Sequence, residues 1–251
     1  MNAEYFAQLP APIQAKALEV EALIGRPIAV RVRTEADKAD VPDESLPIAI
    51  SALHLDGSTS AEIAMPLKGI APHLLAHEVL HLHRELAMKV PRLVKDNGDS
   101  GNFTDLVCRI DNDLEHAIIV PEEVAVAPDA RAYWENLYTR MLNELEPMVS
   151  ATNLAEHERK GLRENLLRHW LVTSSALQGW TGFPALREAS DRAGLSGDAA
   201  KLVGKFNRIK TEKGRCVAMF LRFMKLPVNR FKLRRHLVTE GRYDYSEIPA
   251  E

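Results

Sequence analysis

Three residues in the first half of the chain have the types and the spacing of a metal-dependent catalytic site. His77, Glu78 and His81 form the pattern H-E-x-x-H in the sequence HEVLH. On a helix, two histidines four residues apart point to the same side, so both imidazoles can reach one ion at the roughly 2.0–2.1 Å of Zn–N bonds. Glu78 lies about 100° round the helix from His77, where its carboxylate can hold a water molecule without binding the metal. The spacing predicts zinc ligands at His77 and His81 and a general base at Glu78.

The residues around this motif predict a buried helix over Pro72 to Val90. The apolar members of that segment surround the two histidines on most sides, as in a core helix; they are Leu74, Leu75, Val79, Leu80, Leu82 and Leu86. Unpaired polar side chains in such a place would be costly, so a ligand for the histidines is expected. The alternative is a surface helix on which the histidines face water. We interpret His73 and His83 as surface residues or as residues behind the ligands.

A second helix, predicted from Phe103 to Val120 and ended by Pro121, carries the next polar cluster. Glu115 is the predicted third ligand, because catalytic zinc commonly takes two histidines and one glutamate. Asp111 lies four residues earlier on the same face and is expected to accept the outer N–H of a ligating histidine. His116 is expected behind the ligands, as Asp111 is; alternatively it is the rival ligand, or a hydrogen-bond donor to the transition state. The alternative for the whole cluster is a solvated acidic helix face.

The motif and its setting resemble the zincin metallopeptidases, and their gluzincin branch in particular: HEVLH follows a predicted β-hairpin and precedes an acidic residue on a second helix. The run from Ile110 to His116 with Pro121 is similar to the second-helix motif of the small intracellular zincins related to the ImmA/IrrE group. The resemblance covers roughly residues 46–121. It implies zinc at His77, His81 and Glu115, with Glu78 as general base. In the ImmA/IrrE pattern, Cys108 aligns with the acidic ligand, which makes Cys108 a further rival.

The rest of the chain predicts an α+β protein: a small zincin-like unit of short mixed sheet and metal-binding helix, with a mostly helical C-terminal half. We expect the zincin-like unit over residues 1–125 and the helical region over 126–251, which can equally form one continuous domain. The predicted elements before the motif are a helix at Pro12–Ile24, a strand at Ile28–Val32 and a hairpin of Leu46–Leu55 and Thr59–Met65 around Asp56-Gly57. The predicted later helices are Ala130–Leu145, Leu154–Leu177, Pro184–Ala193, Asp198–Ile209 and Lys213–Met224. Val228–Glu251 gives no clear pattern.

Composition is that of an ordinary globular protein. Of 251 residues, 46% are hydrophobic and 27% charged, and no apolar run reaches the eighteen or so residues that a membrane span needs. The N-terminal residues carry Glu4 and no basic segment before an apolar run, so neither a signal peptide nor a membrane span is expected. The cysteines Cys108 and Cys216 lie far apart and form no CxxC pair. A reduced, cytoplasmic protein is therefore expected.

Positive charge is concentrated near the C-terminus. Between Lys201 and Arg235 there are twelve lysines and arginines against one acid, Glu212, although the net charge of the chain is −3. Such a block can attract nucleic acid or an acidic protein. The alternative is a set of solvated helix faces, which the lack of a recognised nucleic-acid-reading motif favours.

Together these features predict a cytoplasmic zinc-dependent peptidase that hydrolyses a peptide or protein substrate with a metal-activated water. Glu78 would take the proton of that water and later pass it to the leaving amine. The alternative is a regulatory or binding protein that keeps the zincin scaffold and contacts nucleic acid or an acidic protein through residues 201–235. Salt-sensitive binding without hydrolysis would distinguish the second reading from the first.

Overall fold

A computed structural model describes residues 1–34, 49–55, 58–66, 71–96 and 104–249 of the chain. The fold is α+β with a mostly helical C-terminal half, which confirms the predicted fold class. Its helices are α1 (Ala3–Phe6), α2 (Ala11–Ile24), α3 (Pro72–Leu86), α4 (Thr104–Val126), α5 (Ala130–Ser150), α6 (Glu156–Ala176), α7 (Phe183–Arg192), α8 (Ser196–Ile209) and α9 (Lys213–Phe223). Its strands are β1 (Ala29–Val32), β2 (Ile50–Leu55), β3 (Thr59–Met65), β4 (Arg92–Lys95), β5 (Phe231–Leu237) and β6 (Arg242–Glu247).

The chain forms two compact units, and neither is continuous in sequence. The first comprises Met1–Pro91, Glu122–Ala130 and Arg234–Asp244. The second comprises Arg92–Pro121, Arg131–Leu233 and Tyr245–Glu251. Most of α4 belongs to the second unit and its last turn belongs to the first, and the predicted boundary after residue 125 stays a prediction.

The sheet of the first unit has β3 in the centre. β1 runs parallel to β3 with Val30 opposite Ile63, and β2 runs antiparallel to it with Leu55 opposite Thr59. The antiparallel pair is the predicted one, while the proposed turn at Asp56-Gly57 lies outside the described residues. The predicted loops at Thr34–Glu44 and Lys95–Gly101 also lie largely outside them.

Helix α3 packs against both α2 and this sheet. Pro72 opens the helix at a position where its missing N–H costs nothing. Its apolar side chains, including Leu75 and Leu80, are fully buried, and they meet a core that contains Ile13 of α2 and Ile63 of β3. The buried interpretation of the motif helix is thus confirmed, and the alternative of a surface helix is wrong.

The sequence predicted that helix α4 ends at Pro121. In the structure the helix continues to Val126. A proline inside a helix removes one backbone hydrogen bond and typically costs about 3 kcal/mol. Here the turn beyond it makes compensating contacts: Glu123 is fully buried, and its carbonyl accepts the N–H of Ala127 at 2.8 Å. Tertiary contacts therefore outweigh the local stop signal.

The core of the second unit is formed by α4, α6, α8 and α9. Its largest buried side chains include Phe206, Phe220 and Phe231. The predicted C-terminal helices are all present, with ends shifted by a few residues. The unassigned tail forms β5 and β6, which join β4 in a second small antiparallel sheet with β5 in the middle. No helix in the described part of the chain has both the length and the hydrophobicity to cross a membrane.

Candidate metal centre

The two histidines of the motif turn their ring nitrogens toward each other. His77 Nε2 and His81 Nε2 lie 3.1 Å apart, and both side chains are buried. Two nitrogens bound to one tetrahedral zinc ion with Zn–N bonds of about 2.0–2.1 Å would lie about 3.3 Å apart. The spacing of these two donors therefore fits a single zinc ion.

The outer nitrogen of His77 is held by a residue that the sequence analysis did not identify. His77 Nδ1 lies 2.8 Å from Oε2 of Glu123, and the Glu123 side chain is 0% exposed. A carboxylate accepts hydrogen bonds, so the ring hydrogen is on Nδ1 and the lone pair of the neutral imidazole is on Nε2. Glu123 thereby sets the tautomer in which Nε2 of His77 can bind a metal.

The electrostatics of His77 follow from the same contacts. Burial, the largest influence, acts to lower the pKa of His77, because a charged ring loses its hydration. The hydrogen bond and the charge of Glu123, together with the charge of Glu78, act in the opposite direction and prevail, so the pKa of His77 is raised. Two buried carboxylates therefore place negative charge around this ring, which also favours a bound cation.

Glu78 is buried on α3 next to His77. Helix geometry turns its side chain about 100° away from that of His77, and the charge of Glu78 acts on the His77 ring. A carboxylate in this position can accept a proton from a water held at the centre.

The two other histidines of α3 have partners of their own. His83 Nε2 lies 2.9 Å from Glu19 Oε2 of α2. His73 Nδ1 lies 3.5 Å from Oε1 of Glu123, so His73 stands behind the centre at the carboxylate that holds His77. That neither histidine is a metal ligand stays a prediction.

The acidic cluster of α4 is buried in the second unit and paired with cations. Glu115 Oε1 lies 2.6 Å from Lys213 Nζ, and Asp111 Oδ1 lies 2.7 Å from the same ammonium group. Asp111 also binds Arg92 Nε at 2.6 Å and accepts the backbone N–H of Leu93 at 2.9 Å. The solvated-face alternative is therefore wrong. Asp111 was expected to accept the outer N–H of a ligating histidine, but for His77 this acceptor is Glu123. Glu115 as a metal ligand stays a prediction.

A second buried ion pair lies on the other side of α4, because Asp113 is rotated by about 160° to 200° from Asp111 and Glu115. Arg168 of α6 binds the carboxylate of Asp113 through Nε. Burial, followed by the charge of Asp113, raises the pKa of Tyr138 well above its usual range, so this phenol stays protonated. Asp111, Asp113 and Glu115 of α4 thus bind cations within the second unit.

His116, the predicted rival ligand, is half-buried on α4. Its ring centroid lies 5.0 Å from that of Trp134 on α5. Along α4, His116 precedes Glu123 by seven residues, which is two helical turns, so the two side chains leave the helix within about 20° of each other. Cys108, the other rival, is exposed.

Glu123 was missed because the helix was ended at Pro121 in the sequence analysis. A signal was nevertheless present: continuing the helical period past the proline brings Glu123 onto the face of His116. A metal-binding histidine usually donates its other ring N–H to a carboxylate, and Glu123 is a candidate for that acceptor.

Comparisons of the chain with protein-family models, with curated proteins and with solved structures give no match. In chemical terms, the described side chains of the first unit provide two convergent imidazole nitrogens, a carboxylate that orients one of them and a neighbouring carboxylate that can act as a base.

Proposed function

We propose that this protein is a zinc-dependent peptidase of the zincin type. The observation that carries the proposal is the convergence of His77 Nε2 and His81 Nε2 at 3.1 Å, with Nδ1 of His77 bonded to buried Glu123. A structural zinc site needs four closed ligands and no base, whereas this motif supplies Glu78 beside the ligands. We propose that the protein acts in the cytoplasm, where its free thiols Cys108 and Cys216 remain reduced.

We propose His116, rather than Glu115, as the third protein ligand. His116 offers a third imidazole, and it lies on the face of α4 that carries Glu123, the partner of His77. Glu115 points about 80° away from that face, by the 100° rotation per residue of an α-helix. Its carboxylate also compensates the buried charge of Lys213. A set of three histidines with a fourth position left for water is an established catalytic zinc arrangement.

Bound zinc would lower the pKa of a water molecule and polarise the scissile carbonyl. Glu78 then takes a proton from the attacking water as the new carbon–oxygen bond forms. The same carboxyl group passes this proton to the leaving amine as the carbon–nitrogen bond breaks. Glu123 keeps the His77 ring in one orientation throughout, and the burial of these side chains keeps bulk water from competing for them.

The test compares Glu78→Gln with Glu85→Gln, a matched change at a buried glutamate two turns later on α3. Each zinc-loaded protein is incubated with a mixture of unstructured peptides, and new termini are identified by mass spectrometry. We expect Glu78→Gln to retain zinc and the wild-type circular dichroism spectrum but to lose hydrolysis by at least about 100-fold, while Glu85→Gln stays active. Equal cleavage by Glu78→Gln, or no cleavage by fully zinc-loaded wild type, would contradict the proposal.

A further inference from the structure

A positively charged surface lies on α8 and the end of α9, within the second unit. We call it the basic face and define it by its exposed side chains, which are Lys201, Lys205, Arg208, Arg222 and Lys225. Between Ser196 and Lys225 the chain has eight basic residues and two acids. The proposed peptidase activity does not use this surface.

The sequence of α8 places its charges along one line. Lys201, Lys205 and Arg208 are spaced i, i+4 and i+7, so they leave the helix within an arc of about 60°. The opposite side of α8 carries Leu202 and Phe206, which are completely buried in the core of the second unit. Because the apolar side fixes the rotation of the helix, the basic line must face outward.

The end of α9 extends this line. Lys205 Nζ of α8 lies 5.7 Å above the centroid of the Phe223 ring, next to Arg222 in sequence. The carbonyl of Phe223 accepts hydrogen bonds from Arg163, which also binds Asp198 at 2.7 Å. Asp198 is the acidic residue in the sequence of α8, and Arg163 compensates its charge.

Other basic residues of the 201–235 block have structural partners. Lys213 is buried against Glu115 and Asp111, and Lys232 lies between Asp96 and Glu247. By contrast, no acidic side chain within the ranges that the structure describes forms an ion pair with Lys201, Lys205 or Lys225. The predicted basic block therefore contains residues in ion pairs, such as Lys213 and Lys232, and the exposed basic face, on which Lys201, Lys205 and Lys225 have no acidic partner among the described residues.

Two glycines within α8 provide a second, independent observation. Gly197 and Gly204 lie on the same side of the helix as the basic line, and a Cβ added at either would meet nothing within 4 Å. Glycine inside a helix is destabilising relative to alanine, and no internal packing here requires it. Gly204 lies between Lys201 and Arg208, and Gly197 lies about one turn before Lys201, so both positions allow a ligand to approach the helix backbone closely.

We propose that the basic face binds the phosphate backbone of nucleic acid without reading base sequence. Lysine and arginine tips on a rigid line match the regular negative charges of a polynucleotide. The large exposed hydrophobic side chains of the described residues are Leu18, Leu23, Val32, Ile50, Met88 and Tyr245, and none belongs to this face. A helix that binds a membrane surface needs exposed apolar side chains, and a protein interface needs an apolar centre. The basic face has neither among its exposed side chains, so its charge pattern favours nucleic acid over a membrane or a protein partner.

The binding test uses a fluorescein-labelled, random-sequence DNA duplex of 24 base pairs, with fluorescence anisotropy measured over a range of salt concentrations. Five phosphate contacts predict a slope of about −4 to −5 in a plot of log affinity against log salt. The triple variant Lys201→Glu, Lys205→Glu, Arg208→Glu should bind at least tenfold more weakly, and the slope should become shallower by about 2 to 3.

A control variant with the same net charge separates the face from the overall charge. Arg26→Glu, Lys89→Glu, Arg242→Glu changes three exposed residues of the first unit. It should bind DNA much more tightly than the triple variant on α8. Equal loss of binding in the two variants would overturn the proposal, since DNA would then respond to net charge alone.

The variant Gly204→Leu tests the close approach of a ligand to α8. Leucine favours helix, so the unfolding temperature should rise, whereas its bulk between Lys201 and Arg208 should lower DNA affinity several-fold. Gly204→Leu with unchanged affinity would contradict the glycine argument.

Vesicles of anionic lipid and an acidic peptide such as polyglutamate serve as competitors. Saturable binding of either at the basic face, with no binding of DNA, overturns the proposal. The inference does not depend on the peptidase proposal, because Glu78→Gln should bind DNA as wild type does.

Discussion

Nδ1 of His77 lies 2.8 Å from Oε2 of Glu123, a side chain that solvent does not reach. The bond joins the motif helix α3 to the last turn of α4, beyond Pro121. It orients the His77 ring, fixes its hydrogen on the outer nitrogen and brings a negative charge behind the proposed metal ligand. The turn of α4 beyond Pro121 therefore carries a buried carboxylate, Glu123, that orients His77.

Replacing Glu123 with alanine should weaken zinc binding by about 10- to 100-fold, the usual effect of removing a carboxylate that orients a ligating histidine. Zinc affinity can be measured by competition with a chromogenic chelator. Glu122→Ala is the matched control, because Glu122 is the neighbouring acid and pairs with Lys16 at 3.3 Å near the surface. Equal affinity in the Glu123 and Glu122 variants would contradict the role assigned to Glu123.

Wild-type protein should contain about one zinc ion per chain, and His77→Ala or His81→Ala should lose it, since each change removes a ligand of one four-coordinate ion. Metal content after gel filtration is measured by inductively coupled plasma mass spectrometry. His83→Ala is the control, because His83 binds Glu19 instead. A His77→Ala protein that keeps full zinc would place the metal elsewhere.

Changes at Glu115 and His116 should separate fold stability from metal binding. Glu115→Gln should keep zinc but reduce stability by about 2 to 5 kcal/mol, because a buried ammonium group then lacks part of its compensation. His116→Ala should reduce zinc affinity while leaving that ion pair intact. Urea unfolding and zinc titration of both variants provide the two readouts. The reverse pattern would restore Glu115 as the third ligand.

His169 should make the second unit less stable in acid. Its side chain is 3% exposed, and within the described residues neither ring nitrogen has a hydrogen-bond partner. Burial, followed by the charge of Arg168, lowers the pKa of His169 from 6.5 to about 3. As the pH falls below 6.5, His169 becomes protonated in the unfolded chain, whereas in the folded chain it stays neutral until about pH 3. Stability is therefore lost across this window as the pH falls, by up to about 1.4 kcal/mol per pH unit.

The variant His169→Phe removes this contribution. The difference in unfolding free energy between wild type and variant, measured in urea between pH 7.5 and 4.5, should shift in favour of the variant as the pH falls. Val172→Ala, a core change on the same helix, should differ from wild type by an amount independent of pH. A flat difference for His169→Phe would show that the ring is not a buried neutral group.

The sequence alone determined the motif helix and its immediate support. The H-E-x-x-H spacing and the apolar residues around it predict a buried helix with two histidines on one side, because helical period and hydrophobic burial act over a few residues. The same local rules predicted β2 and β3 and the helices from Ala130 onward. In each case a continuous periodic segment carries its own signal.

Only the tertiary structure decided which acidic and basic side chains form ion pairs. Lys213 lies about a hundred residues after Glu115, and no local rule couples them, yet burial of one charge requires the other. The continuation of α4 past Pro121 was decided in the same way: the local cost of proline is offset by the contacts of buried Glu123. Sequence determined that two histidines lie on one side of α3, and long-range contact determined that the carboxylate of Glu123 orients His77, because a buried polar side chain needs a partner that only the folded chain supplies.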